Sequence, residues 1–145
     1  MPSKSYAEYS NEELKFLTQG VMTYLDSWEF TNEQILTVLG LEDKIKARQL
    51  QAFRNGSQNF ETSEILMSRV DHIIGIADAL RTQFPYSEQM RLMWFQKPHR
   101  RFGKQTPLQI MMDNQSTDGL LKVRMEVDCN YAYAISEAMR ANTSK

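Results

Sequence analysis

A short cationic segment carries the side chains best suited to binding chemistry. Five basic or titratable residues fall within eight positions: Lys97, His99, Arg100, Arg101 and Lys104. Three aromatic residues lie among them or just before them: Trp94, Phe95 and Phe102. Ammonium and guanidinium groups pair with carboxylates or phosphates on a partner, and Trp and Arg are enriched at interface hot spots. The pattern predicts a surface that contacts a partner. The alternative interpretation is a solvated loop that contributes only to solubility.

The residue types needed for catalysis or metal binding do not form a recognisable pattern. The two histidines, His72 and His99, are far apart in the sequence, and there is no Gly-rich phosphate loop, nucleophile elbow or metal-ligand cluster. Cys129 is the only cysteine, which excludes an internal disulfide and a cysteine-based zinc site. We therefore predict a protein that is not an enzyme and needs no cofactor or metal.

A second candidate surface lies in a possible helix-turn-helix. Residues 31–39, the Gly40 turn and residues 42–53 have suitable lengths for that motif. Four side chains of its second helix would face a DNA major groove: Lys44, Lys46, Arg48 and Gln49. The alternative is an αα-hairpin that never touches DNA, because Glu42 and Asp43 would repel phosphates there. Residues 1–61 also carry six Lys or Arg against nine Asp or Glu, whereas a DNA-binding half is usually basic.

Helical patterns fill the rest of the chain and must position both surfaces. Capping boxes at Ser10–Glu13, Thr31–Gln34 and Thr106–Gln109 predict three helix starts. Further helices are expected over about 42–55, from 62 or 63 to 84, from Ser87 and from about 117. The longest helix should bury one face, formed by Leu66, Val70, Ile73, Ile74, Ala77 and Leu80. Three methionines, Met93, Met112 and Met125, are expected in the core. We predict an all-α fold with two regions, 1–85 and 86–145.

The cationic segment is bounded by residues that interrupt helices. Pro98 ends the helix before it, Gly103 permits a turn with positive φ, and Thr106 followed by Pro107 begins the next helix. The order of these landmarks resembles the C-terminal domain of the Xre/MbcA/ParS family of bacterial antitoxins: Trp-Phe, then Pro, Phe-Gly, Thr-Pro-Leu and a closing helix over 118–127. The resemblance covers residues 86–135 best, and the Leu-Gly-Leu turn at 39–41 is similar to the Xre-like helix-turn-helix of the same family.

The resemblance implies an antitoxin that covers the active site of a RES-type, NAD-consuming toxin, and whose helix-turn-helix binds promoter DNA. The toxin-facing residues carried over are Trp94, Lys97, His99, Arg100, Arg101, Phe102, Lys104, Asn130, Tyr131 and Arg140. The alternative function is a DNA-binding transcriptional regulator without a toxin partner.

Assembly and location follow from weaker signals. A homodimer is expected because helix-turn-helix proteins usually read two half-sites. No apolar run approaches the roughly 18 residues that a membrane span needs, and the first residues lack the apolar core of a signal peptide. The expected location is therefore the cytoplasm, with no membrane partner.

Overall fold

The computed structural model describes residues 8–113 and 118–143, with side-chain surroundings described up to Asp128 and again at Met139 and Arg140. Every regular element in these residues is helical, which confirms the all-α prediction. The α-helices are α1 (Asn11–Ser27), α2 (Asn32–Leu39), α3 (Leu50–Asn55), α4 (Glu64–Gln83), α5 (Glu88–Trp94), α6 (Pro107–Met112) and α7 (Asp118–Thr143). Single 3-10 turns occupy Ala47–Gln49 and Arg100–Phe102.

Local side-chain caps start the helices where the sequence predicts them. All three expected capping boxes are present, at the starts of α1, α2 and α6. At the α1 start, for example, the Glu13 N–H donates to Ser10 Oγ at 3.1 Å, and the Ser10 N–H donates back to the Glu13 carboxylate at 3.0 Å. Gly40 ends α2 with a φ of +71°, a conformation that glycine adopts without steric cost.

Helix α4 is the central element of the bundle. It packs against α1, α2 and α7, and α7 also packs against α6. Five of its six predicted inward side chains are buried and Ile74 is partly buried, so this amphipathic face is confirmed. The face is a direct consequence of the three- and four-residue spacing of its apolar residues.

One hydrophobic core runs across position 85, where the sequence places the border between its two regions. The Phe95 ring centroid lies 4.5 Å from that of Trp28 and 5.3 Å from that of Phe30. All three side chains are buried, and Phe95 is 0% exposed. The start of the cationic segment is therefore anchored in the same core as α1.

The helix predicted over 42–55 is wrong in its first half. Residues 42–45 form turns, in which the Lys44 and Ile45 N–H groups donate to the Leu41 carbonyl, and Lys46 is extended with ψ 156°. The reason is the spacing of the apolar residues: in a continuous helix Leu50 would point about 140° away from Ile45. The extended residue between them lets Leu50 turn into the core, where it is 0% exposed.

Two of the three methionines expected in the core are on the surface. Met93 is 39% and Met125 57% exposed, and only Met112 packs partly buried against the core. Their places in the core are taken by buried neighbours on the same helices: Trp94 on α5, and Val123 and Val127 on α7. Helical spacing alone did not distinguish between these adjacent apolar residues.

Candidate protein-interaction site

The cationic loop, residues 97–104, lies between α5 and α6 and is closed by its own backbone. The His99 carbonyl accepts from the N–H groups of Phe102 at 3.0 Å and Lys104 at 3.2 Å, and the His99 N–H donates to the Gln105 carbonyl at 3.0 Å. Gly103 and Lys104 both have positive φ, at +61° and +71°. Pro98 and the cap at Thr106 bound this turn, so its conformation is set locally.

Aromatic rings support the cationic loop from below. Trp94 is only 5% exposed, and its ring lies 5.5 Å from Phe95 and 4.9 Å from the His99 ring. The His99 ring also contacts Phe102, at 5.9 Å. The sequence analysis placed Trp94 on the partner-facing surface, but the structure places it in the core because its ring fills space between the loop and Phe95. Trp94 positions the loop, while His99 and Phe102 are partly exposed.

The charged tips of the cationic loop point to solvent. Lys97, Arg100, Arg101 and Lys104 are all exposed. The Arg101 side chain is 68% exposed and lies 3.8 Å from the Glu126 carboxylate. Within residues 8–113 and 118–128, Lys97, Arg100 and Lys104 make no ion pair. These three cations therefore offer charge that the described residues do not neutralise.

A buried carboxylate on α7 ties the loop to that helix. Glu126 is 7% exposed, and its two oxygens lie 3.8 Å from His99 Nδ1 and 3.8 Å from Arg101 Nε. Both distances exceed hydrogen-bond length, so the Arg101 contact is an ion pair without a hydrogen bond. The sequence analysis missed Glu126. The available signal was an acid on the same helical face as the apolar residues Val123 and Val127.

An open groove of about 490 Å³ separates the cationic loop from α7 and α6. Its apolar lining comes from Phe102, Ile110 and Met125, and its polar lining from Arg101, Gln105, Lys122 and Glu126. With two cations on its rim and an exposed methionine on its wall, the groove can receive an apolar side chain flanked by a carboxylate. The chemistry that this lining offers is the recognition of an apolar and acidic group.

The structure does not gather all the residues implied by the resemblance into one surface. Asn130 and Tyr131 belong to the α7 backbone, but their side chains lie outside the described residues. Arg140 is exposed near the end of α7. It lies about 21 Å along the helix axis from Glu126, at 1.5 Å per residue. The candidate site therefore consists of the cationic loop and the adjoining groove.

The four residues predicted to face DNA are exposed but do not lie on one recognition helix. Lys44 is in a turn, Lys46 is extended, and Arg48 and Gln49 are in a 3-10 turn before α3. They share an open surface with Glu42 and Asp43. A helix-turn-helix reads bases from a continuous helix in the major groove, and the chain lacks that helix here because residue 46 is extended.

Polar contacts lock α7 onto α4 beside the site. Arg124 Nη1 lies 3.2 Å from Asp71 Oδ2 and 3.2 Å from His72 Nδ1. Because arginine only donates, His72 Nδ1 must accept, which leaves the ring neutral with its proton on Nε2. Burial lowers the pKa of His72, the Arg124 charge lowers it further, and Asp71 partly opposes both. This arrangement confirms the sequence interpretation of His72 as a half-buried helix residue.

Comparison with known proteins adds no family assignment. No protein-family model matches the chain, and no curated protein sequence matches it. In the described part of the chain, no three His, Cys, Asp or Glu residues are grouped closely enough to hold a metal ion. No helix among those residues is both long enough and apolar enough to cross a membrane. The candidate site must therefore be interpreted from its own geometry.

Proposed function

We propose that this chain is a cytoplasmic antitoxin that binds a RES-type toxin through the cationic loop and the adjoining groove. The bound antitoxin would bury the toxin's catalytic cleft and block entry of NAD. This mode of inhibition is steric and requires no chemistry from the antitoxin. Steric inhibition agrees with a site that consists of exposed cations, a supporting Trp94 ring and an open groove.

The observation that carries the proposal is the pre-organised presentation of three cations that form no ion pair with the described residues. Lys97, Arg100 and Lys104 extend from the cationic loop, whose backbone makes five hydrogen bonds within residues 99–105. The loop rests on the buried Trp94 and is tied to α7 through Glu126. A loop already held in one conformation loses little entropy when it binds, so more of its interaction energy appears as affinity.

Regulation of DNA without a toxin partner is the weaker alternative. The basic residues within 44–48 do not lie on one α-helix, and they share their surface with Glu42 and Asp43. Phosphate contacts supply most of the affinity of DNA-binding proteins, and nearby carboxylates oppose them. Binding of promoter DNA is therefore measured alongside toxin capture.

A capture experiment tests the proposal. The chain is tagged, co-expressed with a RES-type toxin, and purified by the tag. We expect Arg100→Glu with Lys104→Glu to weaken capture at least about tenfold, or ~1.4 kcal/mol, and to abolish rescue of cells expressing the toxin. Both residues are exposed, so the thermal midpoint should stay near the wild-type value.

The matched control reverses two charges on the other basic segment, Lys44→Glu with Arg48→Glu. This control should capture the toxin as well as the wild type does. Equal capture by both double variants would show that the cationic loop is not the interface. The DNA-binding alternative would be favoured by two results together. The wild type would capture no toxin, and it would bind promoter DNA in a salt-dependent gel-shift assay in which only the control variant fails to bind.

A further inference from the structure

Helix α1 carries an aromatic side chain that the described residues leave exposed. Phe16 is 83% exposed, although it lies in the middle of a helix whose opposite face is buried. It is distant in sequence from the cationic loop and takes no part in the proposed toxin site. An exposed phenylalanine bordered by further apolar surface typically marks an interaction surface.

A ring-sized hollow lies beside Phe16 on the same face of the bundle. It is lined by Phe16, Leu17, Gly20, Val21, Tyr24 and Ile74 and has a volume of about 170 Å³. A cavity of about 150 Å³ with an apolar lining is enough to hold benzene. The hollow is therefore the right size for one aromatic ring, and the adjacent Phe16 cannot fill it because that side chain points outward.

The chain's own packing does not explain why a glycine forms the floor of this hollow. A Cβ atom added at Gly20 would meet nothing within 4 Å. Glycine inside a helix is destabilising relative to alanine, and Gly20 lies well inside α1. Its lack of a side chain makes room for something approaching from outside the chain.

We propose that this surface binds a second copy of the chain, with the two α1 helices antiparallel across a twofold axis level with residue 18. Phe16 and Gly20 are one helical turn apart and share a face. An antiparallel pair centred at residue 18 places Phe16 of each copy opposite Gly20 of the other. Each ring then enters the partner's hollow, which is the self-complementary arrangement of a twofold interface.

The charges at the two ends of the surface agree with this register. The same axis places Glu12, which is exposed, opposite Tyr24 of the other copy. The Arg81 guanidinium lies 5.5 Å from the Tyr24 ring centroid and is 55% exposed. It donates to Asp78 through Nη2, which offsets part of its charge, and a guanidinium has further N–H donors for an incoming carboxylate. Acidic and basic ends therefore meet at both edges of the dimer.

Sedimentation or light scattering at micromolar concentration tests the assembly. We expect the wild type to have twice the 16.9 kDa mass of one chain and Phe16→Glu to have the monomer mass. Met90→Glu is the matched control, because it places an acid at an exposed apolar residue on α5, and it should remain a dimer. A monomeric wild type, or a dimer that survives Phe16→Glu, would overturn the proposal.

Disulfide trapping tests the register and orientation. In a Cys129→Ser background, chains carrying Phe16→Cys or Gly20→Cys are oxidised separately and then as a mixture. Antiparallel pairing centred at residue 18 predicts cross-linked dimers mainly in the mixture. Cross-linking of Phe16→Cys with itself would show a parallel pair or a different antiparallel register, and either result would refute the model. Toxin capture by the Phe16→Glu monomer is measured in parallel, so failure of the dimer and failure of the antitoxin function are separate results.

Discussion

Truncation of Phe95 to alanine removes the ring that joins α1 to the cationic loop. Phe95 is 0% exposed and lies 4.5 Å from Trp28, 5.3 Å from Phe30 and 5.5 Å from Trp94, measured between ring centroids. Its backbone carbonyl accepts from the Leu108 N–H at the start of α6. The ring thus contacts both regions that the sequence analysis separates at residue 85.

The loss expected for Phe95→Ala is a large part of the free energy of unfolding. Replacing a buried phenylalanine by alanine costs about 3–5 kcal/mol through lost burial and the cavity left behind. A domain of this size has a free energy of unfolding of about 5–15 kcal/mol. At roughly 3 °C per kcal/mol, the thermal midpoint should fall by about 10 °C.

Urea unfolding followed by two signals checks this expectation. Tryptophan fluorescence reports Trp28 and Trp94, which both contact the ring, and far-UV circular dichroism reports the helices as a whole. Because the core is shared, both signals should shift together in Phe95→Ala. The control Met90→Ala, at a half-exposed residue of α5, the helix that ends just before Phe95, should change stability by about 0.5 kcal/mol or less.

Two results would refute the reasoning about Phe95. One is a loss below about 1 kcal/mol, which would mean that the ring is not tightly packed. The other is a biphasic transition in which part of the helical signal keeps its wild-type midpoint. That result would show two independent domains and a boundary near residue 85.

Three further substitutions probe contacts elsewhere in the bundle. Thr18→Val leaves the buried Phe60 N–H without its acceptor, now 3.0 Å away, so urea unfolding should show a loss of about 1–3 kcal/mol that Thr18→Ser largely avoids. Burial lowers the pKa of His72, so the unfolded chain binds more protons below about pH 6.5 and the free energy of unfolding should fall on acidification. In denaturation measured at several pH values, His72→Gln should reduce this dependence on pH. An unchanged dependence would contradict the lowered pKa of His72. Gly40→Ala combines a φ of +71° with a Cβ 2.9 Å from Arg69 Nε, so its thermal midpoint should correspond to a loss above about 1 kcal/mol, and wild-type stability would contradict this.

Local chemistry in the sequence accounts for most of the helices. Capping boxes depend on two side chains three residues apart, so Ser10–Glu13 and Thr106–Gln109 could be identified without any long-range information. The turn of the cationic loop is similarly local, because Pro98 does not continue a helix and Gly103 adopts the positive φ that the turn requires. Such features are decided within a few residues and were predicted correctly.

The errors arose where contacts distant in sequence decide the outcome. Lys46 is extended because Leu50 must reach the core, and that requirement depends on where α1 and α4 lie. Trp94 is buried and Met93 exposed because the Trp94 ring packs against Phe95 and His99, and Phe95 in turn packs against Trp28 and Phe30, which lie far earlier in the chain. Periodicity shows which residues are apolar, but the neighbouring helices decide which of two adjacent residues points inward.

The amino-acid sequence by itself determined the helical class, the helix starts and the position of the cationic loop, because each follows from interactions among near neighbours. Only the tertiary structure decided that Glu126 lies beneath that loop, that Trp94 supports it and that Phe16 stands uncovered beside a hollow. These juxtapositions join residues on different helices. Their physical cause is the packing of α1, α4 and α7 into one core, which no single segment specifies.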